Sequence, residues 1–109
     1  MTTRVHITTD ARFAFDVLRA DSPVLVDFYA GWCRTCQRLD PVLDELAIDW
    51  AGRIRIVKLD VEANPHTAAR YGVTSIPTLI LFDDGSERDR LVNVARRHAI
   101  EERLGLTVP

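Results

Sequence analysis

The sequence predicts an α/β domain: a mixed central β-sheet flanked by helices, in the order β-α-β-α-β-α-β-β-α. Three observations predict it. The nearly continuous apolar run Val24 to Ala30, VLVDFYA, reads as a central strand buried on both faces. A helical stripe follows it (Leu39, Val42, Leu43, Leu46, Ala47), and then an alternating strand, which together make a parallel βαβ unit with a right-handed crossover. Asp83-Asp84-Gly85 between two later strands signals a hairpin, so one part of the sheet runs antiparallel.

The remaining elements follow in order. Val5 to Ile7 is a short strand. Asp10 is placed to cap a helix through about Leu18, with Phe13, Val17 and Leu18 at helical spacing. Ser22-Pro23 breaks the chain before the central strand. The helix from Cys33 to about Ala51 contains Pro41, which removes one backbone donor and kinks a helix rather than ending it when the stripe continues beyond. Gly52 closes that helix, and Ile54 to Val61 is the next strand. Asn64-Pro65 starts a short helix that ends near Tyr71-Gly72. Pro77 precedes the strand Thr78 to Phe82, and Arg90 to Val94 returns antiparallel to it. Arg96 to Leu104 forms the last helix, with Gly105 as its C-terminal cap.

The 109 residues suffice for one domain, taken as 1–109, and not for two. With 47% hydrophobic and 28% charged residues the composition is that of an ordinary globular chain. The net charge is −2 and no Lys/Arg run exceeds two residues, which argues against nucleic acid as a partner. The opening MTTRVHITTD is polar and unlike a signal peptide, and no stretch approaches a membrane span. The expectation is a cytoplasmic protein that meets no membrane.

The chain has two cysteines, Cys33 and Cys36, spaced C-x-x-C. Cys33 falls where the buried strand gives way to a helix. A sulfur at a helix N-terminus meets free backbone N–H groups and the positive end of the helix dipole, both of which favour a thiolate. Cys36 lies one helical turn further on, placed to attack a mixed disulfide formed by Cys33. Two other uses of a lone C-x-x-C stay open at this point. Half of a zinc site would need two more ligands, but there is no third cysteine and His6, His66 and His98 are scattered. A structural bridge would close only a tiny loop, in a reducing compartment.

The segments VDFYAGWCRTCQRLDPVLDELA and KLDVEANPHTAARYGVTSIPTLILFDDG resemble those of thioredoxins, and the likeness runs from about Val5 to Leu104. It implies the thioredoxin fold and a thiol–disulfide oxidoreductase that acts on protein disulfides without a cofactor or a metal. It also implies further site residues. Pro77 matches a proline with a cis peptide bond beside the cysteines, which would present the Ile76 backbone to an extended substrate. Asp27, a carboxylate inside a strand buried on both faces, matches the general base for the resolving cysteine, and Lys58 matches a lysine near it. Trp32, Val61, Ile76, Pro77, Val92 and Val94 match a flat apolar docking surface around the sulfurs. Phe13, Pro41, Tyr71 and Gly85 match structural positions.

The chain also departs from the family. Arg34-Thr35 replaces the usual Gly-Pro between the cysteines. A cation beside Cys33 favours its thiolate and so the reduced protein, which makes the couple a stronger oxidant. Ser75 and Asn93 replace two glycines of the substrate groove, which bears on recognition by a thioredoxin reductase. The expectation is a monomeric enzyme; the competing reading is a redox-independent binding or chaperone-type module that uses the fold for interaction only.

Overall fold

In a computed structural model, which describes residues 5–106, five strands form one sheet in the order β1-β3-β2-β4-β5. The first four residues of the polar N-terminal segment lie outside the described residues. The strands are β1 (Val5–Ile7), β2 (Val24–Tyr29), β3 (Arg55–Asp60), β4 (Thr78–Asp83) and β5 (Ser86–Val92). The helices are a π-helical turn, Ala14–Leu18, then α1 (Arg34–Asp49), α2 (Pro65–Arg70) and α3 (Arg97–Leu104). β1, β3 and β2 run parallel, while β4 is antiparallel to β2 and β5 to β4. This is the mixed sheet flanked by helices expected from the element order, in the arrangement that the resemblance implies. Among the described residues no helix is long and apolar enough to cross a membrane.

β2 sits in the middle of the sheet, and its sequence says why. Side chains alternate between faces along a strand. Leu25 joins a core with Leu39, Leu43 and Leu46 of α1 and Ile100 of α3, while Val24, Val26 and Phe28 join a second core with Phe13, Val17 and Ala68 on the other face. A strand between two cores must be apolar at every position, and only Asp27 breaks the run. By the same alternation Asp27 lies on the α1 face, as does Lys58 two residues after Ile56. Pro41 lies inside α1, which continues past it.

Phe13, Tyr71 and Phe82 pack ring against ring at 5.0–5.7 Å between centroids. The β4–β5 hairpin turns on Asp84 and Gly85, both with positive φ (53° and 81°). That geometry matches the right-handed twist of the strands. A Cβ on Gly85 would also stand 3.2 Å from the Leu18 carbonyl oxygen, so a side chain there would be both strained and crowded.

Three local expectations are corrected. β5 starts at Ser86 rather than Arg90 and ends before Asn93, because an edge strand with solvent on its outer side needs few apolar residues. The first helix is a five-residue π-helical turn with no side-chain cap, preceded by a turn in which Thr9 Oγ1 accepts from the Arg12 amide. Asp10 instead caps α2 from across the fold. Its carboxylate accepts the His66 amide at 3.1 Å, the Thr67 amide at 2.9 Å and the Thr67 hydroxyl at 2.6 Å. Asn64 makes no side-chain cap on its own helix; its Oδ1 accepts the Asp10 amide. Asp10→Ala is therefore expected to lower stability by about 1–2 kcal/mol, a helix cap and a tertiary tie lost together. Urea unfolding checks this, and a change under about 0.3 kcal/mol would contradict it.

Candidate functional site

The expected site residues gather at one end of the sheet. β2 and β3 finish there, β4 starts there, and β5 returns there, with Phe28 paired to Thr78 and Thr78 to Val92. Parallel strands that end together leave their following loops side by side, and α1 begins from the loop after β2.

Cys33 is the N-cap of α1. Its backbone is extended (φ −81°, ψ 113°), and its Sγ accepts the Cys36 amide at 3.1 Å. The Cys33 amide donates to the Ala30 carbonyl and the Cys33 carbonyl accepts the Gln37 amide, which fixes the entry into the helix. An N-cap side chain normally offers an oxygen to these free N–H groups; here the acceptor is sulfur, and a thiolate accepts better than a thiol. The two cysteines form a disulfide, with Cα atoms 5.2 Å apart. Cys33 is 6% exposed and Cys36 2%. Trp32 beside them is 67% exposed. Arg34 is exposed on the first turn and makes no ion pair among the described residues, and Thr35 is half-buried.

The Ile76-Pro77 peptide bond is cis. Pro77 is buried, Ile76 half-buried and Ser75 exposed. The Pro77 carbonyl accepts the Asn93 amide at 2.8 Å, which ties the loop after β5 to the proline. Asn93 has φ +60°, a left-handed conformation that asparagine tolerates better than other residues with a side chain. The backbone shape expected of glycine is thus kept, with an exposed amide side chain added. Val92 is exposed on this rim, while Val94 leans on the α1-side core. Val61 does not join the surface fully: it packs against the opposite core.

One layer below, Asp27 is 0% exposed, and neither carboxylate oxygen has a hydrogen-bond partner among the described residues. Burial pushes its pKa from 3.8 up to about 7; the Lys58 charge opposes the rise and the Asp40 charge adds to it. Asp27 and Lys58 are register partners on neighbouring strands. Yet the Lys58 ammonium lies 2.5 Å from Asp40 Oδ1 and 4.3 Å from the centre of the Tyr29 ring. Asp40 is a site residue that neither the motifs nor the resemblance point to. The one signal for it in the sequence is its place four residues after Cys36, an acid one helical turn on from the resolving cysteine and just before Pro41.

This arrangement can hold a thiolate at Cys33, a second sulfur one turn behind it, and a buried carboxyl that exchanges a proton near neutral pH. Known proteins resemble the chain over most of its length. The family model of thioredoxin matches residues 4–105. The chain is 48% identical over 101 residues to a thioredoxin of Mycobacterium bovis, covering 93% of this chain and 87% of that one. It is 49% identical over 86 residues to a thioredoxin of Pseudomonas aeruginosa (79% and 80% covered). It is 45% identical over 97 residues to thioredoxin C-2 of Corynebacterium nephridii (89% and 90% covered).

Proposed function

The chain belongs to the thioredoxin family and is a thiol–disulfide oxidoreductase acting on protein disulfides; from that premise we propose that Cys33 attacks and Cys36 resolves. In the reduced protein the Cys33 thiolate attacks one sulfur of a substrate disulfide. A Cys33–substrate mixed disulfide forms and the second substrate sulfur leaves as a thiolate, which takes a proton from solvent. The Asp27 carboxylate then takes the Cys36 proton. The Cys36 thiolate attacks Cys33 Sγ and expels the first substrate sulfur. Two electrons pass to the substrate and the Cys33–Cys36 disulfide remains. The observation that carries this assignment is the Cys33 sulfur at the N-cap, accepting the Cys36 amide. Insulin reduction by dithiothreitol, timed with and without the protein, tests the activity.

The substrate chain lies extended along Ile76 and Pro77, over Trp32, Val92, Asn93 and Val94, with its backbone pairing to that of Ile76. The hydrogen bond from the Asn93 amide to the Pro77 carbonyl supports a preformed groove there. Lys58 tunes Asp27. The protein works as a monomer and a single domain in the cytoplasm, reduced by a thioredoxin reductase whose fit is altered by the side chains of Ser75 and Asn93.

Arg34 and Thr35 set the direction. A cation one residue from Cys33, with no ion pair among the described residues, lowers the energy of the thiolate and so of the reduced form. The couple is then less reducing than one with Gly-Pro between the cysteines, by tens of millivolts on the scale of about 30 mV per 1.4 kcal/mol. Arg34→Gly is expected to move the potential about 10–30 mV in the negative direction, read by equilibration with a glutathione redox buffer. An unmoved potential would reduce Arg34 to a solvated surface charge.

A further inference from the structure

Two carboxylates compete for one ammonium beneath the exchange site. Asp27 and Lys58 sit side by side on β2 and β3 and face α1 together, so a direct pair would be the simplest arrangement. Lys58 instead reaches out to Asp40 on α1 at 2.5 Å, lying across the Tyr29 ring. Both Asp27 oxygens stay without partners among the described residues. The physical reason is desolvation. A pair buried at Asp27 would strip water from both charges, whereas the Asp40 side chain is 43% exposed and keeps much of its hydration. The pair opens on a cleft of about 270 Å³ lined by Val5, Ile7, Asp40, Leu43, Asp44 and Lys58.

We propose that Asp40 is a positioning residue of the exchange site: it holds the Lys58 ammonium on the helix side and so leaves Asp27 as the unpaired buried carboxyl that trades a proton with Cys36. The proposal rests on the reading of Asp27 as the proton acceptor of Cys36. Among the described residues the charges that act on Asp27 are Lys58 from β3 and Asp40 from α1; Tyr29 on its own strand feels Lys58, Asp60, Asp27 and Asp40, and Asp44 lies further out on the cleft. Burial is the main cause of the rise at Asp27, and of these groups only Lys58 is a cation, so its position sets how far that rise is opposed. Asp40 stands at Cys36 + 4, so the helix that carries the resolving sulfur also carries the group that sets its base.

The test uses the whole reduced protein and two readouts. The Asp27 carboxyl is titrated by carbon-13 NMR, and resolution of a Cys33 mixed disulfide is timed by stopped flow across pH 6–9. In Asp40→Asn the freed ammonium turns to Asp27. The Asp27 midpoint is expected to fall by about half a pH unit or more, roughly threefold in proton affinity, and the resolution profile to move with it. Asp40→Glu restores both. In a Lys58→Gln background the effect of Asp40→Asn shrinks. An unmoved Asp27 midpoint in Asp40→Asn overturns the proposal, even if stability drops, since that is a structural ion pair alone. A moved Asp27 midpoint with an unmoved resolution profile supports the hold of Asp40 on Lys58 and overturns the base role of Asp27.

Discussion

Cys33→Ser is expected to abolish protein-disulfide reduction, with insulin reduction falling to the dithiothreitol background, a loss of about a thousandfold or more. A serine hydroxyl keeps the size and the N-cap hydrogen bond, so the fold and α1 should survive. What it lacks is an anion at neutral pH. An unperturbed thiol is about 3% thiolate at pH 7, and a lowered pKa raises that fraction, while an alcohol offers essentially none. Cys36→Ser fails differently: Cys33 still attacks, and the mixed disulfide accumulates because no second sulfur lies one turn behind it. Insulin reduction by the two variants at matched stability checks both outcomes. Undiminished activity in Cys33→Ser would return the binding-module reading.

Asp27→Asn is expected to stabilise the protein while slowing its chemistry. Asp27 is fully buried with no hydrogen-bond partner among the described residues, and burial raises its pKa to about 7. A carboxyl whose folded pKa lies above its unfolded value binds its proton more tightly in the folded state. Its contribution is therefore fully present below pH 3.8 and is lost as pH rises through about 7. A rise from 3.8 to about 7, worth about 1.4 kcal/mol for each pH unit, sets a ceiling of about 4 kcal/mol. Asparagine never ionises, though its buried amide also lacks partners, so the net gain is put at about 2–4 kcal/mol at pH 8. At pH 4 the two proteins should differ little. Urea unfolding at pH 4, 6 and 8 reads this, and a gain equal at all three values would mean that Asp27 does not titrate in this window. The same variant should slow resolution of the mixed disulfide about tenfold or more. Unchanged rates across pH 6–9 would remove the base role.

The element order and the place of the cysteines were legible because they follow from local pattern. VLVDFYA is apolar at consecutive positions, which only a strand between two cores requires, and the stripe from Leu39 to Ala47 has a helix period. Asp27 was legible as an exception to that run. The resemblance to thioredoxins supplied Pro77, Ile76 and the rim. What was not legible came from contacts distant in sequence. Asp10 looked like the cap of its own helix, yet its carboxylate is used 57 residues away at Thr67. The strand SERDRLV is polar because its outer edge faces water, so a search for apolar alternation found only its end. Asp40 carries no motif. Its part appears only when β3 and α1 are packed together and Lys58 is seen to choose between two acids.

The most direct test of the account is to trap the covalent intermediate. Cys36→Ser, incubated with a protein disulfide substrate and quenched with acid, is digested without reductant and the linked peptides are identified by mass spectrometry. The account predicts a single cross-link, from Cys33 to a substrate cysteine, with the parallel trap in Cys33→Ser yielding none. A stable substrate adduct at Cys36 in Cys33→Ser, formed as fast as the one at Cys33, would contradict it.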